Sequence, residues 1–181
     1  PKPLVETADA SDADTVIAFV GIALPYNAKQ AEYAGDTLNC YALKWQCGGN
    51  SILRSPGIER FHIFGAGMGM SAGYKALAYD HPLALVTGNG GGKWYNFFIH
   101  GMYPETKNYR HLAIVDTVSP ISIYHLHAQH AETEAQCEAR NAAAITVYGM
   151  KSEHNNRFLR MADCDSVELF GFGGIATPPP G

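Results

Sequence analysis

A chain of 181 residues with 17% charged residues, 19 Gly and 10 Pro is long enough to fill one domain and too rich in turn formers for a helical bundle. The formal net charge of −4 and a pI near 6.0 give no basic stripe for nucleic acid, so none is expected as a partner. No apolar run approaches the roughly 20 residues of a membrane-spanning helix, and no basic region leads into an apolar stretch at the N-terminus.

Residues 1–40 read as an irregular segment with acidic and alanine-rich stretches, and a helix is predicted near Ala28–Ala34. From residue 41 the pattern changes to short strands. Ser51-Ile-Leu53 and Phe61-His-Ile-Phe-Gly65 are candidate strands. Gly90–Gly92 suits a tight turn at a corner of the fold. The aromatic run Trp94–His100 that follows alternates, which predicts a strand with Lys93 outside and Tyr95 more exposed than Trp94.

A repeat emerges from residue 112. Ile121-Ser-Ile-Tyr-His-Leu126, Ile145-Thr-Val-Tyr-Gly-Met150 and Val167-Glu-Leu-Phe-Gly-Phe172 start 24 and 22 residues apart. Each has aliphatics at its first and third positions, an aromatic at the fourth and a large apolar residue at the sixth. A second set, Leu112-Ala-Ile114, Cys137-Glu-Ala139 and Leu159-Arg-Met161, precedes them, and two positions after each comes Asp116, Asn141 or Asp163. Asx side chains bond their own backbone and tolerate left-handed φ, so each is a predicted turn between two strands of one coil.

This order predicts an all-β, right-handed parallel β-helix, with coils of roughly 22–25 residues over 41–175. Equivalent residues should then stack about 4.8 Å apart: Ile121, Ile145 and Val167 inward, Glu138 and Arg160 outward as a cross-strand ion pair. A leucine-rich repeat has a similar period, but its Leu and Asn pattern is missing. The tail, Ala176-Thr-Pro-Pro-Pro-Gly181, must leave any sheet. An open solenoid end presents an unpaired edge, so another chain, or an N-terminal portion beyond this sequence, is expected to cover it.

Four cysteines include no CxxC pair. They fit either disulfides, with Cys40–Cys47 the first pair to test, or buried free thiols.

Over residues 116–175 the sequence resembles the pectate-lyase-like superfamily of right-handed β-helix proteins. Asn141-Ala-Ala-Ala-Ile-Thr-Val-Tyr-Gly-Met-Lys-Ser-Glu153 and Asp165-Ser-Val-Glu-Leu-Phe-Gly-Phe-Gly-Gly174 carry the likeness. The resemblance implies a secreted, carbohydrate-active enzyme, either a glycoside hydrolase or a polyuronate lyase. A non-catalytic, adhesin-like β-helix that binds glycan or another chain is the competing expectation. No catalytic signature of a subfamily is present, nor is the acidic calcium cluster of many pectate lyases.

The residues themselves offer a candidate reaction centre. With a 24-residue offset His127 stacks on Lys151, and His125, His130, Glu132 and Glu153 lie in the same two segments. A His or Lys base could take the proton α to a uronate carboxylate, and carboxyl pairs could serve hydrolysis. Arg140, Arg160, Lys93 and Tyr95 are candidate substrate-binding residues. His125, His127 and His130 lack an acidic or cysteine partner, so no metal is expected. No cofactor is expected either: Gly88-Asn-Gly-Gly-Gly-Lys-Trp94 lacks the Ser or Thr of a phosphate loop, and Gly65–Met70 fails likewise.

Overall fold

The computed structural model describes residues 2–23, 40–59, 80–100, 107–129, 131, 133–153 and 156–175. Twelve strands are found there: β1 (Lys2–Glu6), β2 (Val16–Ala18), β3 (Gly21–Ala23), β4 (Cys40–Trp45), β5 (Ile52–Arg54), β6 (Gly57–Glu59), β7 (Pro82–Val86), β8 (Gly92–His100), β9 (Arg110–Thr117), β10 (Ile121–Ala128), β11 (Ala135–Glu153) and β12 (Arg157–Ile175). All pair in parallel into a β-solenoid, with no helix among the described residues. The three regular turns lie at the C-terminal side, with coils of about 25 residues. Ile121 pairs with Ile145 and Ile145 with Val167, the registers that the repeat predicts.

The pairing resolves into three faces. The first stacks β1, β4, β7, β9 and the opening halves of β11 and β12, so that Val5, Leu43, Ala84, Leu112, Cys137 and Leu159 form one column. The second stacks β2, β5, β8, β10 and the later parts of β11 and β12, with Ile17, Leu53, Trp94, Ile123, Val147 and Leu169 in register. The third runs from β3 and β6 through the ends of β8, β10, β11 and β12. The first columns carry the solenoid back to Lys2, ahead of residue 41.

Left-handed residues mark the corners. Asp116, Asn141 and Asp163 have φ of 55°, 47° and 52°, as the Asx-turn reading predicts. Between the second and third faces, Phe19, Ser55, Asn96, His125, Gly149 and Gly171 repeat the same device, one per rung. Ala144 and Ser166 add a second left-handed residue at the first corner of β11 and β12, and pairing resumes directly after each, so β11 and β12 cross all three faces as continuous 19-residue strands.

Inward ladders fill the core. Trp45 and Trp94 meet edge to face with centroids 5.6 Å apart, and Trp45 Nε1 donates to the Gly91 carbonyl at 2.9 Å. That bond ties β4 to the predicted glycine turn. Gly92 has a φ of +86°, and a Cβ there would collide with the Ser51 carbonyl oxygen, so the turn needs glycine for both conformation and space. Trp94 is fully buried, Tyr95 partly so and Lys93 exposed.

Of the two readings of the cysteines the free thiols hold: Cys47 and Cys137 are buried and Cys164 is half-buried, which excludes a Cys40–Cys47 disulfide. Glu138 and Arg160 do pair in register, but Glu138 turns to Arg110 and Arg140 while Arg160 takes Glu134. The expected helix at Ala28–Ala34, the Phe61–Gly65 strand, the Gly65–Met70 segment and the 176–181 tail lie outside the described residues.

Candidate functional site: an arginine cleft and a His–Lys–Glu cluster

Polar chemistry gathers in two places, on different faces. The first is a cleft of about 260 Å³ on the outside of the first face, lined by Arg110, Glu134, Glu138, Arg140, Arg160 and Lys107, among others. Register explains the gathering. Ala113, Glu138 and Arg160 share one outward column, and Val115 and Arg140 sit in the next. The small Ala113 leaves the space that longer side chains surround.

Arg110 organises the cleft. It is only 3% exposed, and its Nη1 donates to the Lys107 and Tyr109 carbonyls at 3.1 and 2.6 Å. Its Nε meets Glu138 Oε2 at 3.0 Å and its Nη2 meets Glu134 Oε2 at 3.5 Å. Glu134 is shared further, by Arg157 Nη1 at 3.4 Å and Arg160 Nη1 at 3.1 Å. Arg140 Nε lies 3.7 Å from Glu138 Oε1. Four guanidinium groups thus surround two carboxylates, a local excess of positive charge on a chain of net charge −4. Arg110 is fixed, whereas Arg140 and Arg160 are about half exposed and present planar donor forks suited to an oxyanion.

The second cluster lies on the third face. His127 and Lys151 are register partners on β10 and β11, as the 24-residue offset predicts. Lys151 Nζ lies 2.6 Å from Glu153 Oε1, 3.2 Å from Gln129 Oε1 and 3.5 Å from His127 Nε2. Gln129 Oε1 also lies 2.6 Å from His127 Nε2. Since Lys151 only donates, that oxygen is the common acceptor and His127 carries its proton on Nε2. The His127 ring stands edge-on to Phe98, with centroids 4.5 Å apart.

Behind it a buried relay steadies Gln129. His111 Nε2 donates to the Gln129 carbonyl at 2.7 Å, and its Nδ1 accepts from the Tyr109 hydroxyl at 2.9 Å. A neutral imidazole satisfies both bonds. Imidazole, ammonium and carboxylate therefore stand on adjacent rungs, held from beneath by a satisfied network.

The other sequence candidates are distributed as follows. His125 is the left-handed corner residue of its rung, exposed, with its ring 6.1 Å from that of His127. His130 and Glu132 lie outside the described residues. Tyr95 begins a stacked ladder with Tyr124, Tyr148 and Phe170, with centroids 5.0, 5.0 and 5.3 Å apart and planes within 10°. The Arg54 guanidinium lies 5.9 Å from the Tyr95 centroid. Ring faces are spent on ring faces, so Tyr95 offers a ligand its edge rather than a stacking platform. Lys93 lies two residues before it on the same strand. Arg140 and Arg160 come together in the cleft, on a different face from His127 and Lys151.

Sequence reasoning missed Arg110, Lys107 and the Tyr109–His111 relay. Arg110 opens its coil beneath Glu134, a contact between a strand end and a loop that no column alignment contains. No group of three His, Cys, Asp or Glu residues able to hold a metal occurs among the described residues, and no helix among them is long and apolar enough to cross a membrane.

No protein-family model, curated protein or solved structure matches this chain.

Proposed function

We propose that this β-solenoid is a secreted, carbohydrate-active protein that binds an acidic polysaccharide in the Arg110–Arg160 cleft and cleaves it, in the manner of the pectate-lyase-like superfamily. The observation that carries the reading is the composition of the cleft. A uronate residue bears one carboxylate and several hydroxyls. The Arg140 and Arg160 forks match the first, and the Glu134 and Glu138 oxygens accept from the second. A plain polyanion would use the arginines but be repelled by the two carboxylates.

For cleavage, the arginines neutralise the uronate carboxylate, which is what acidifies the neighbouring C–H toward β-elimination. Glu134 and Glu138 are the carboxyl groups available for hydrolysis. The His127–Lys151–Glu153 cluster supports a second placement of the reacting centre, because it assembles imidazole, cation and carboxylate on one surface. A polymer that spans the intervening corners would meet both clusters.

The test is incubation with polyuronates and with a neutral glucan, following reducing ends together with the ultraviolet absorbance of an unsaturated product. Elimination raises both signals and hydrolysis only the first. Polyuronate binding without either signal would assign the non-catalytic role, and failure to bind would remove the reading altogether.

A further inference from the structure

We infer that copies of this chain stack end to end, the first rung of one on the last rung of the next. Among the described residues, seven of the nine exposed large apolar side chains lie on these two rungs: Leu4, Val16 and Phe19 on the first, Met161, Leu169, Phe170 and Phe172 on the last. In the interior of the solenoid the positions of Leu4, Met161, Leu169 and Phe172 are covered by the next coil, since Ala42, Ala139, Val147 and Met150 one rung in are buried, whereas the Phe170 column is already exposed at Tyr148. The last rung also presents the outer edge of β12, a 19-residue strand whose only partner among the described residues is β11, and β1 likewise pairs only with β4 among them. Unpaired parallel edges are templates for another strand.

The occupant is a second copy because the two rungs match when the register is carried one step further. Tracing the first-face columns puts Val5 over Leu159 and Glu6 over Arg160. Leu4, which precedes Val5, falls over Phe158. Tracing the second face puts Ile17 over Leu169 and Ala18 over Phe170. At these positions apolar residues meet apolar residues and Glu6 meets a charge of opposite sign, while Val16 falls over Glu168, Pro3 over Arg157 and Thr7 over Met161 at the margins of the contact. Glu6 already lies 2.7 Å from Lys44 Nζ on its own chain, so Arg160 of the neighbour would extend an alternating column at strand spacing. The contact joins two different surfaces and leaves one of each open, so it propagates rather than closes.

Sedimentation velocity of the full chain from micromolar to millimolar concentration tests this. A concentration-dependent series beyond the dimer is expected. Leu169→Asp should abolish the series, and Glu6→Arg should weaken each step about tenfold through like-charge repulsion at Arg160, with circular dichroism verifying that both variants stay folded. A monomer throughout the range, as would follow if another chain or a further part of this one covers the rungs, overturns the inference. So does a series that stops at the dimer, or one that both folded variants leave intact.

Discussion

Asn141 stands one rung beyond Asp116 at the same corner, and its Nδ2 donates to Asp116 Oδ1 across 2.8 Å while both backbones are left-handed. The corner therefore needs a residue that tolerates positive φ and a side chain that bonds to the rung below. Asn141→Gly keeps the first requirement and loses the second, and is expected to cost about 1 kcal/mol. Asn141→Ala loses both and should cost about 2 kcal/mol or more. Urea unfolding midpoints of the two variants would separate the terms, and equal losses would show that backbone strain is negligible there.

Much of the fold was legible because Ile121, Ile145 and Val167 recur at offsets of 24 and 22 residues, and Asp116, Asn141 and Asp163 punctuate them. The earlier rungs were hidden for a physical reason. Residues Leu43 and Ala84 are adjacent rungs yet 41 apart in sequence, so long connections erase the period although the ladder persists. The His127–Lys151 contact was readable from register, since a solenoid converts offset into proximity. The arginine cleft was only partly so: Arg140 and Arg160 follow from columns, but Arg110 reaches Glu134 by a side chain running along the outside of the coil.

Arg110 is the buried support of that cleft, and its loss should be felt as stability before it is felt as binding. Arg110→Ala strips Glu138 of its closest guanidinium partner and two backbone carbonyls of their donor. A loss of about 3 kcal/mol is expected, the lower part of the range for removing one member of a buried pair. Calorimetry would measure it. A variant as stable as the parent would mean that water replaces the guanidinium, and that the cleft is wetter than its packing indicates.

Asp9 joins the first coil to the glycine turn through its Oδ1, which accepts from the Asn89 backbone N–H and from Asn89 Nδ2, each at 2.9 Å. The backbone bond first, then the side-chain bond, hold the Asp9 carboxyl below its ordinary value of 3.8. A depressed folded-state value means that its stabilisation is present above 3.8 and is lost as the pH falls through the lower folded value. Asp9→Asn should therefore flatten part of the acid limb of a stability-against-pH curve while leaving its neutral-to-alkaline limb unchanged. An acid limb identical to that of the parent would remove Asp9 from the transition.

Burial pushes the Cys137 thiol up from 9.0 to about 12, so at neutral pH it is neither ionised nor reachable. The half-buried Cys164 should be alkylated first in the native protein, with Cys137 modified only on unfolding. The sign for alkali follows. The raised value stabilises the fold fully below pH 9.0, and the contribution declines as the pH climbs toward about 12 and the unfolded thiol ionises. Mass spectrometry after timed alkylation would check the order, and native labelling of Cys137 at the rate of Cys164 would contradict its burial.

The division of labour between the two clusters can be read from kinetics, because binding and chemistry respond differently to loss of a group. Arg160→Gln removes a fork from the uronate carboxylate while leaving neutral donors to Glu134. It should raise KM on polyuronate about tenfold with a smaller change in kcat, as expected where ground state and transition state are bound alike. His127→Ala, Lys151→Ala and Glu153→Ala sit at outward positions with little core burial, so each should fold. If proton transfer occurs at that cluster, each lowers kcat by about 10² or more. Full turnover in all three folded variants would move the reacting centre into the cleft, where Glu134→Gln and Glu138→Gln become the decisive substitutions. The cleft is the other described surface on which two carboxylates and several cations converge.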